Sequence, residues 1–88
     1  MAVADQLGAN LAYCRRRAKL SQEELAVMAS LHRTAIGLIE RGERMCRVDT
    51  LVKLAGSLDI PPGDLLDGIG WAPGSTRLGQ FTGEREDS

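Results

Sequence analysis

The side chains in this chain that could do chemistry are mainly cations. Arg15, Arg16, Arg17 and Lys19 form one cluster, and Arg33, Arg41, Arg44 and Arg47 are spread through the middle of the sequence, where they could grip phosphate or read a base edge. Catalysis has little to work with. His32 is the single histidine, no serine–histidine–aspartate set is present, and no glycine loop of the kind that cradles phosphates occurs. Glu23 and Glu24 are adjacent, so on a helix they point to different faces rather than to one substrate. Metal binding fares no better. Cys14 and Cys46 do not form a CxxC pair and, with one histidine, cannot complete a four-ligand zinc site. No enzyme activity, metal or cofactor is expected. Two free thiols are the default reading, Cys14 as core packing and Cys46 as a loop residue with a thiol switch as its alternative. Tyr13, Trp71 and Phe81 are the only aromatics, too few for a sheet that stacks RNA bases.

The overall balance sits awkwardly with an anionic partner. Eleven Lys+Arg face 12 Asp+Glu in 88 residues, a formal net charge of -1 and a pI near 5.7. The charge is unevenly placed, however. Residues 1–60 carry nine basic and seven acidic groups, and residues 61–88 carry two basic and five acidic. The first part is weakly positive and the second clearly negative. A chain of this length makes one domain with one modest core, which must be built from Leu, Ile, Val, Met and Ala. Its longest stretch low in polar residues, Leu25 to Leu31, is far short of the ~20 apolar residues that span a bilayer. No membrane partner is expected. Met1-Ala2-Val3-Ala4-Asp5 lacks the basic and apolar regions of a secretory signal, so the expected compartment is the cytoplasm.

The elements that must position the arginines follow from apolar spacing. Leu7, Leu11, Cys14 and Ala18 share one face of a first helix, whose other side carries the Arg15–Lys19 cations together with Gln6, Asn10 and Tyr13. Ser21 with Glu24 three residues on is a capping box that opens a second helix through Leu25-Ala26-Val27-Met28. Ser30-Leu31-His32 breaks the period. A third helix then runs over Ala35, Ile36 and Ile39 and stops at Gly42, since glycine takes the left-handed conformation at little cost. Val48, Leu51, Leu54, Ala55 and Leu58 predict a fourth helix, ended by Asp59-Ile60-Pro61-Pro62, and Pro62 to Leu66 a short fifth. Residues 68–88 hold five of the ten glycines and no sustained period, so they predict an irregular tail with at most a few extended residues, frayed at Glu84 to Ser88.

Two short helices joined by a three- to four-residue turn, with a basic helix before and an apolar one after, form the arrangement of a helix-turn-helix unit. The residues extend the likeness. Leu20-Ser21-Gln22-Glu23-Glu24-Leu25-Ala26, then Leu31-His32-Arg33-Thr34, Ile36 and Ile39-Glu40-Arg41-Gly42-Glu43-Arg44 resemble the Cro/repressor-type, or xenobiotic-response-element, family over about residues 5–67. Within it they are most similar to the small controller proteins of restriction–modification systems. The resemblance implies an all-α, five-helix repressor-like domain over 1–67, followed by the Gly-rich acidic tail 68–88.

It also implies roles. Arg33, Thr34 and Leu38 fall where a recognition helix reads bases, with His32 beside them as reader, cap or phosphate contact. Gly37, on the same face, would allow close backbone approach. Gln22 at the start of the second helix, and Arg41, Arg44 and Arg47 beyond the third, would hold phosphates, with Arg44 also able to reach a base edge. Arg16 and Arg17 read as solvated charge or phosphate contacts. Arg15 and Glu40 would form a structural ion pair between the first and third helices.

The function expected is sequence-specific binding of double-stranded DNA by a homodimer that regulates transcription. The dimer face is expected at Ile60, Leu65, Leu66, Ile69 and Trp71, with a small-molecule pocket under Trp71 as the alternative for that residue. The competing reading is an antitoxin-like interaction module whose tail docks on a protein partner.

Overall fold

Helix α1, Val3–Arg17, carries Leu7 and Leu11 into the core, while Cys14 is half-buried beside them. The computed structural model describes residues 2–75 and 78–83. Glu84 to Ser88, expected to fray, lie outside the described residues. Ala18, expected on the apolar stripe of α1, is exposed because the helix ends one residue earlier and Lys19 takes a left-handed turn at φ 60°. Gln6 and Asn10, expected on the outward face, point inward instead. Gln6 Nε2 donates to Asn10 Oδ1 (3.0 Å), and Asn10 Nδ2 donates to the carbonyls of Leu65 and Asp67 (2.9 Å each). Asn10 thus supplies a partner to those two carbonyl oxygens, and Gln6 holds the Asn10 amide in place.

Helix α2, Gln22–Met28, opens with the expected capping box: Ser21 Oγ accepts from Glu24 N (3.0 Å) and Ser21 N donates to Glu24 Oε1 (2.8 Å). Residues 29–32 turn the chain, with Ser30 left-handed at φ 55°, into α3, Arg33–Glu40. Gly42 at φ 73° then ends α3, and Glu43 N donates back to Leu38 O at 2.9 Å, the reversal that glycine permits. Helix α4, Val48–Leu58, buries Leu54, Ala55 and Leu58. Val48, expected to face the core, is 78% exposed, since it starts the helix before the chain has closed over the domain.

The fifth helix is not an α-helix. Pro62–Leu66 forms a single 3₁₀ turn, closed by short bonds such as Asp64 N to Pro61 O (3.0 Å). Five residues that include a proline leave too few N–H groups for an i→i+4 ladder, so the tighter pattern prevails. The tail departs further from expectation. Strands β1, Ile69–Ala72, and β2, Gln80–Gly83, pair antiparallel, with Trp71 opposite Phe81 and Ile69 opposite Gly83. Trp71 meets the Phe81 ring edge-on, centroids 4.9 Å apart. The fold is thus four α-helices with a short two-stranded sheet at the C-terminal end.

The core gathers Leu11, Leu25, Ile36, Ile39, Leu54 and Leu65, all wholly buried, from four α-helices and the 3₁₀ turn. Ala26 is buried as expected where α2 meets its neighbours. Among the described residues no helix is long and apolar enough to cross a membrane.

Candidate nucleic-acid interface

The site depends first on how closely α1 and α3 approach. A β-carbon on Gly8 would lie 2.7 Å from the carbonyl oxygen of Glu40, so only glycine lets these two backbones cross here. Arg15 then locks the crossing. Its Nε and Nη2 donate to Glu40 Oε2 (2.6 Å) and Oε1 (3.0 Å), and its Nη1 donates to Leu20 O (2.9 Å) in the turn before α2. The side chains of Arg15 and Glu40 are 11% and 6% exposed. One guanidinium therefore ties together α1, the entry to α2 and the end of α3. Burial alone would raise the Glu40 carboxyl pKa, but the hydrogen bonds from Arg15 and Gln22 and the charges of Arg15 and Arg16 outweigh it and hold it below the ordinary carboxylate value. Arg15 is pushed up in turn by its hydrogen bond to Glu40, against the opposing effect of burial.

With α3 fixed, its outer face forms one side of an open groove. Arg33, Thr34, Gly37, Leu38 and Arg41 line it from α3 and its cap, facing Ser21, Gln22 and Glu23 at the start of α2. The expected readers therefore meet. Arg33 is exposed at the first position of α3 and makes no ion pair or hydrogen bond among the described residues. Thr34 Oγ1 lies 2.9 Å from His32 Nδ1, which also accepts from Thr34 N (3.2 Å). Of the roles open to it, His32 fills the cap. Leu38 is half-buried along the groove.

The phosphate candidates divide. Gln22 is exposed in the groove, its Nε2 donating to Glu40 Oε1 at 3.0 Å, which anchors the amide. Arg41 also lines the groove, with its Nε on Glu43 Oε2 at 2.5 Å. Arg44 and Arg47 stand in the loop after α3; Arg44 is exposed, and Arg47 makes a 3.4 Å pair with Asp49 in which both side chains are open to water, an interaction of little worth. Arg17 is turned onto its own helix, donating to the Tyr13 hydroxyl (3.2 Å) with its guanidinium 5.7 Å from the ring centre.

The expected dimer face changes. Leu65 is wholly buried in the chain's own core and has no surface to offer a second copy. Ile60 and Ile69 are half-buried against that core, whereas Leu66 (42%) and Trp71 (56%) are exposed. Val48 and Val52 on α4 add exposed apolar surface that periodicity had placed inside or left unassigned. The cysteines are held back from reactivity. Burial pushes the Cys14 thiol up, Asp64 and Asp67 add to it, and burial likewise raises Cys46, which packs against the core. Sequence reasoning missed Gly8, Asn10 and Glu43 as residues that shape the site. The glycine inside the α1 pattern was the one available sign.

A short α2, a tight turn and an α3 whose outer face carries an exposed arginine define a DNA-binding domain of the repressor type, the class to which transcription regulators of this kind belong. The chain belongs to the helix-turn-helix family, whose sequence model matches residues 11–65. It is similar to the control protein C.BamHI of Bacillus amyloliquefaciens, 45% identical over 51 residues, a match covering 58% of this chain and 63% of that protein. The control protein C.SmaI of Serratia marcescens is 41% identical over 66 residues, 75% of this chain and 79% of that one. Among solved structures, the restriction-modification controller protein C.AhdI of Aeromonas hydrophila superposes with a TM-score of 0.71 at 38% identity, over 74% of this chain and 98% of that one.

Proposed function

We propose that the protein binds a two-fold-related operator as a homodimer, with α3 in the major groove, and so regulates transcription. The observation that carries this reading is Arg33, exposed and with no side-chain partner among the described residues, at the first turn of a helix that a buried ion pair ties to α1. Arginine there can donate two parallel hydrogen bonds to guanine O6 and N7, worth about 1–3 kcal/mol against a wrong base. Thr34 and Leu38 add apolar contact, and Gln22, Arg44 and Arg47 add phosphate contacts that fix register. One such face covers too little DNA for useful specificity, whereas a two-fold dimer sets two of them about 34 Å apart. Exposed Leu66 and Trp71, with Ile60 and Ile69 behind them, support a dimer face on the far side of α4.

Residues 1–67 would be the DNA-binding domain and 68–88 an acidic appendage directed away from the duplex, with the protein acting in the cytoplasm. The control proteins it is similar to point to a neighbouring restriction–methylation gene pair as the first place to look for targets. Footprinting on the DNA upstream of the protein's own gene is the test. Protection of two half-sites about one helical turn apart is expected, together with loss of base preference in Arg33→Ala. An Arg33→Ala protein that binds with unchanged affinity and preference would overturn the reading, and sedimentation of a monomer at micromolar concentration, with and without DNA, would remove the dimer.

A further inference from the structure

Arg41 stands one residue beyond α3, where a side chain reaching forward would meet phosphate. It reaches backward instead. Its Nη1 lies 3.0 Å from the point a β-carbon on Gly37 would occupy, one turn earlier on the helix, and Gln22 Oε1 lies 3.5 Å from the same point. Arg33, Gly37 and Arg41 are spaced four residues apart, so all three share the face that lines the groove. The missing side chain at Gly37 leaves the space into which the guanidinium lies. A β-carbon there would ask the flexible end of Arg41 to give by a few tenths of an ångström, and a long side chain would fill the space and displace the guanidinium.

An exposed ion pair with Glu43 biases the orientation of that guanidinium. Glu43 Oε2 takes the Nε hydrogen at 2.5 Å, which leaves the terminal Nη1/Nη2 edge as the donor pair available from Arg41. Two parallel N–H donors on a planar fork match guanine O6 and N7 as well as they match a phosphate, and the place of Arg41 in the groove that Arg33 also lines is what favours a base edge. The Arg41 side chain is 59% exposed, so the fork is accessible from the groove.

We propose that Arg41 is a second base-reading residue, a specificity determinant that lies across Gly37, is oriented by Glu43 and selects a guanine at a base pair other than the one Arg33 reads. This rests on the DNA-binding role proposed above. The test uses the full chain in selection from a library of randomised operator sequences, with affinities then measured for single-base variants of the selected site. Arg41→Ala and Gly37→Leu, the second filling the space the guanidinium occupies, are expected to relax preference at one and the same base pair, by roughly 5- to 100-fold for that guanine over other bases. Arg33→Ala should relax a different base pair. Arg41→Lys keeps the charge and loses the fork, so it should restore affinity without restoring preference.

If Arg41→Ala lowers affinity equally for all sequences and flattens the salt dependence, Arg41 holds a phosphate and the inference fails while the DNA-binding reading stands. A Gly37→Leu variant with the wild-type preference overturns it equally. A wild-type protein that selects no sequence overturns both. Because Arg41 and Gly37 border the groove, cooperative melting curves by circular dichroism will show that the variants compared are folded.

Discussion

Replacing Glu40 by alanine should damage the fold before it touches DNA binding. Arg15 and Glu40 are 11% and 6% exposed and joined by two hydrogen bonds of 2.6 and 3.0 Å, so the variant leaves a nearly buried guanidinium with only the Leu20 carbonyl as a partner. Removing one partner of such a pair costs about 3–5 kcal/mol. A domain of this size is stable by roughly 4–13 kcal/mol, so the loss takes between a quarter and all of it. At about 4–8 °C per kcal/mol, the melting temperature should fall by roughly 12–40 °C.

Urea denaturation at neutral pH, followed by far-ultraviolet circular dichroism, is the assay. Glu40→Gln keeps the shape and one acceptor and should lie between wild type and alanine. The double variant Arg15→Met/Glu40→Leu should recover most of the loss, because it removes both charges and leaves neither unpaired. A Glu40→Ala cost below about 1 kcal/mol would place the pair among ordinary surface bridges and refute the reasoning. So would a double variant as unstable as the single one.

Ser21→Ala removes the acceptor for Glu24 N at the start of α2 and should cost about 1 kcal/mol in the same denaturation experiment, with DNA preference unchanged. Two identical substitutions should go opposite ways: Gly37→Ala should stabilise α3 by up to about 1 kcal/mol through helix propensity, whereas Gly8→Ala should destabilise, since its β-carbon would meet the Glu40 carbonyl oxygen at 2.7 Å. Thermal melts of the pair decide it, and equal signs would contradict the packing described. Acid should weaken the fold late. Glu24, through its hydrogen bonds from Ser21 backbone and hydroxyl, and Glu40, where hydrogen bonds and charge from Arg15 and Gln22 outweigh burial, are both held below the usual carboxylate range. Depressed groups contribute fully above their unfolded values and lose that contribution as pH falls through their folded ones. Stability measured against pH should therefore hold through the mildly acidic range and drop below it. Arg44→Ala should weaken binding to all sequences and shallow the salt dependence in titrations at several ionic strengths; a change confined to one base pair would make Arg44 a reader as well.

The four α-helices were legible because each announces itself locally. Ser21 and Glu24 start α2, Gly42 ends α3, and apolar residues at helical spacing mark what each helix buries. The ion pair Arg15–Glu40, 25 residues apart, came from resemblance alone, since spacing along a chain says nothing of which helices cross. The hairpin was illegible for a related reason. Gly70 and Gly83 look like loop residues in sequence and become ladder partners of Thr82 and Ile69 only once the two segments meet. Leu65, expected on an apolar partner-facing surface, fills the chain's own core instead, since an apolar residue in a short segment carries no mark of which apolar neighbour it meets. The candidate site was legible in its membership and not in its geometry. That Arg41 folds back over Gly37 depends on a side-chain path no pattern of letters encodes.

Trp71, the single tryptophan, sits 56% exposed on β1, beyond residues 11–65 that the family model matches. Its emission will therefore report on the sheet rather than on the helices. A fluorescence-detected unfolding curve would follow the parting of Trp71 from Phe81 and stay blind to the melting of α2 and α3. Where the fluorescence and dichroism transitions coincide, hairpin and helices unfold as one unit; where they separate, the spacing between them measures how loosely the strands are coupled to the DNA-reading part.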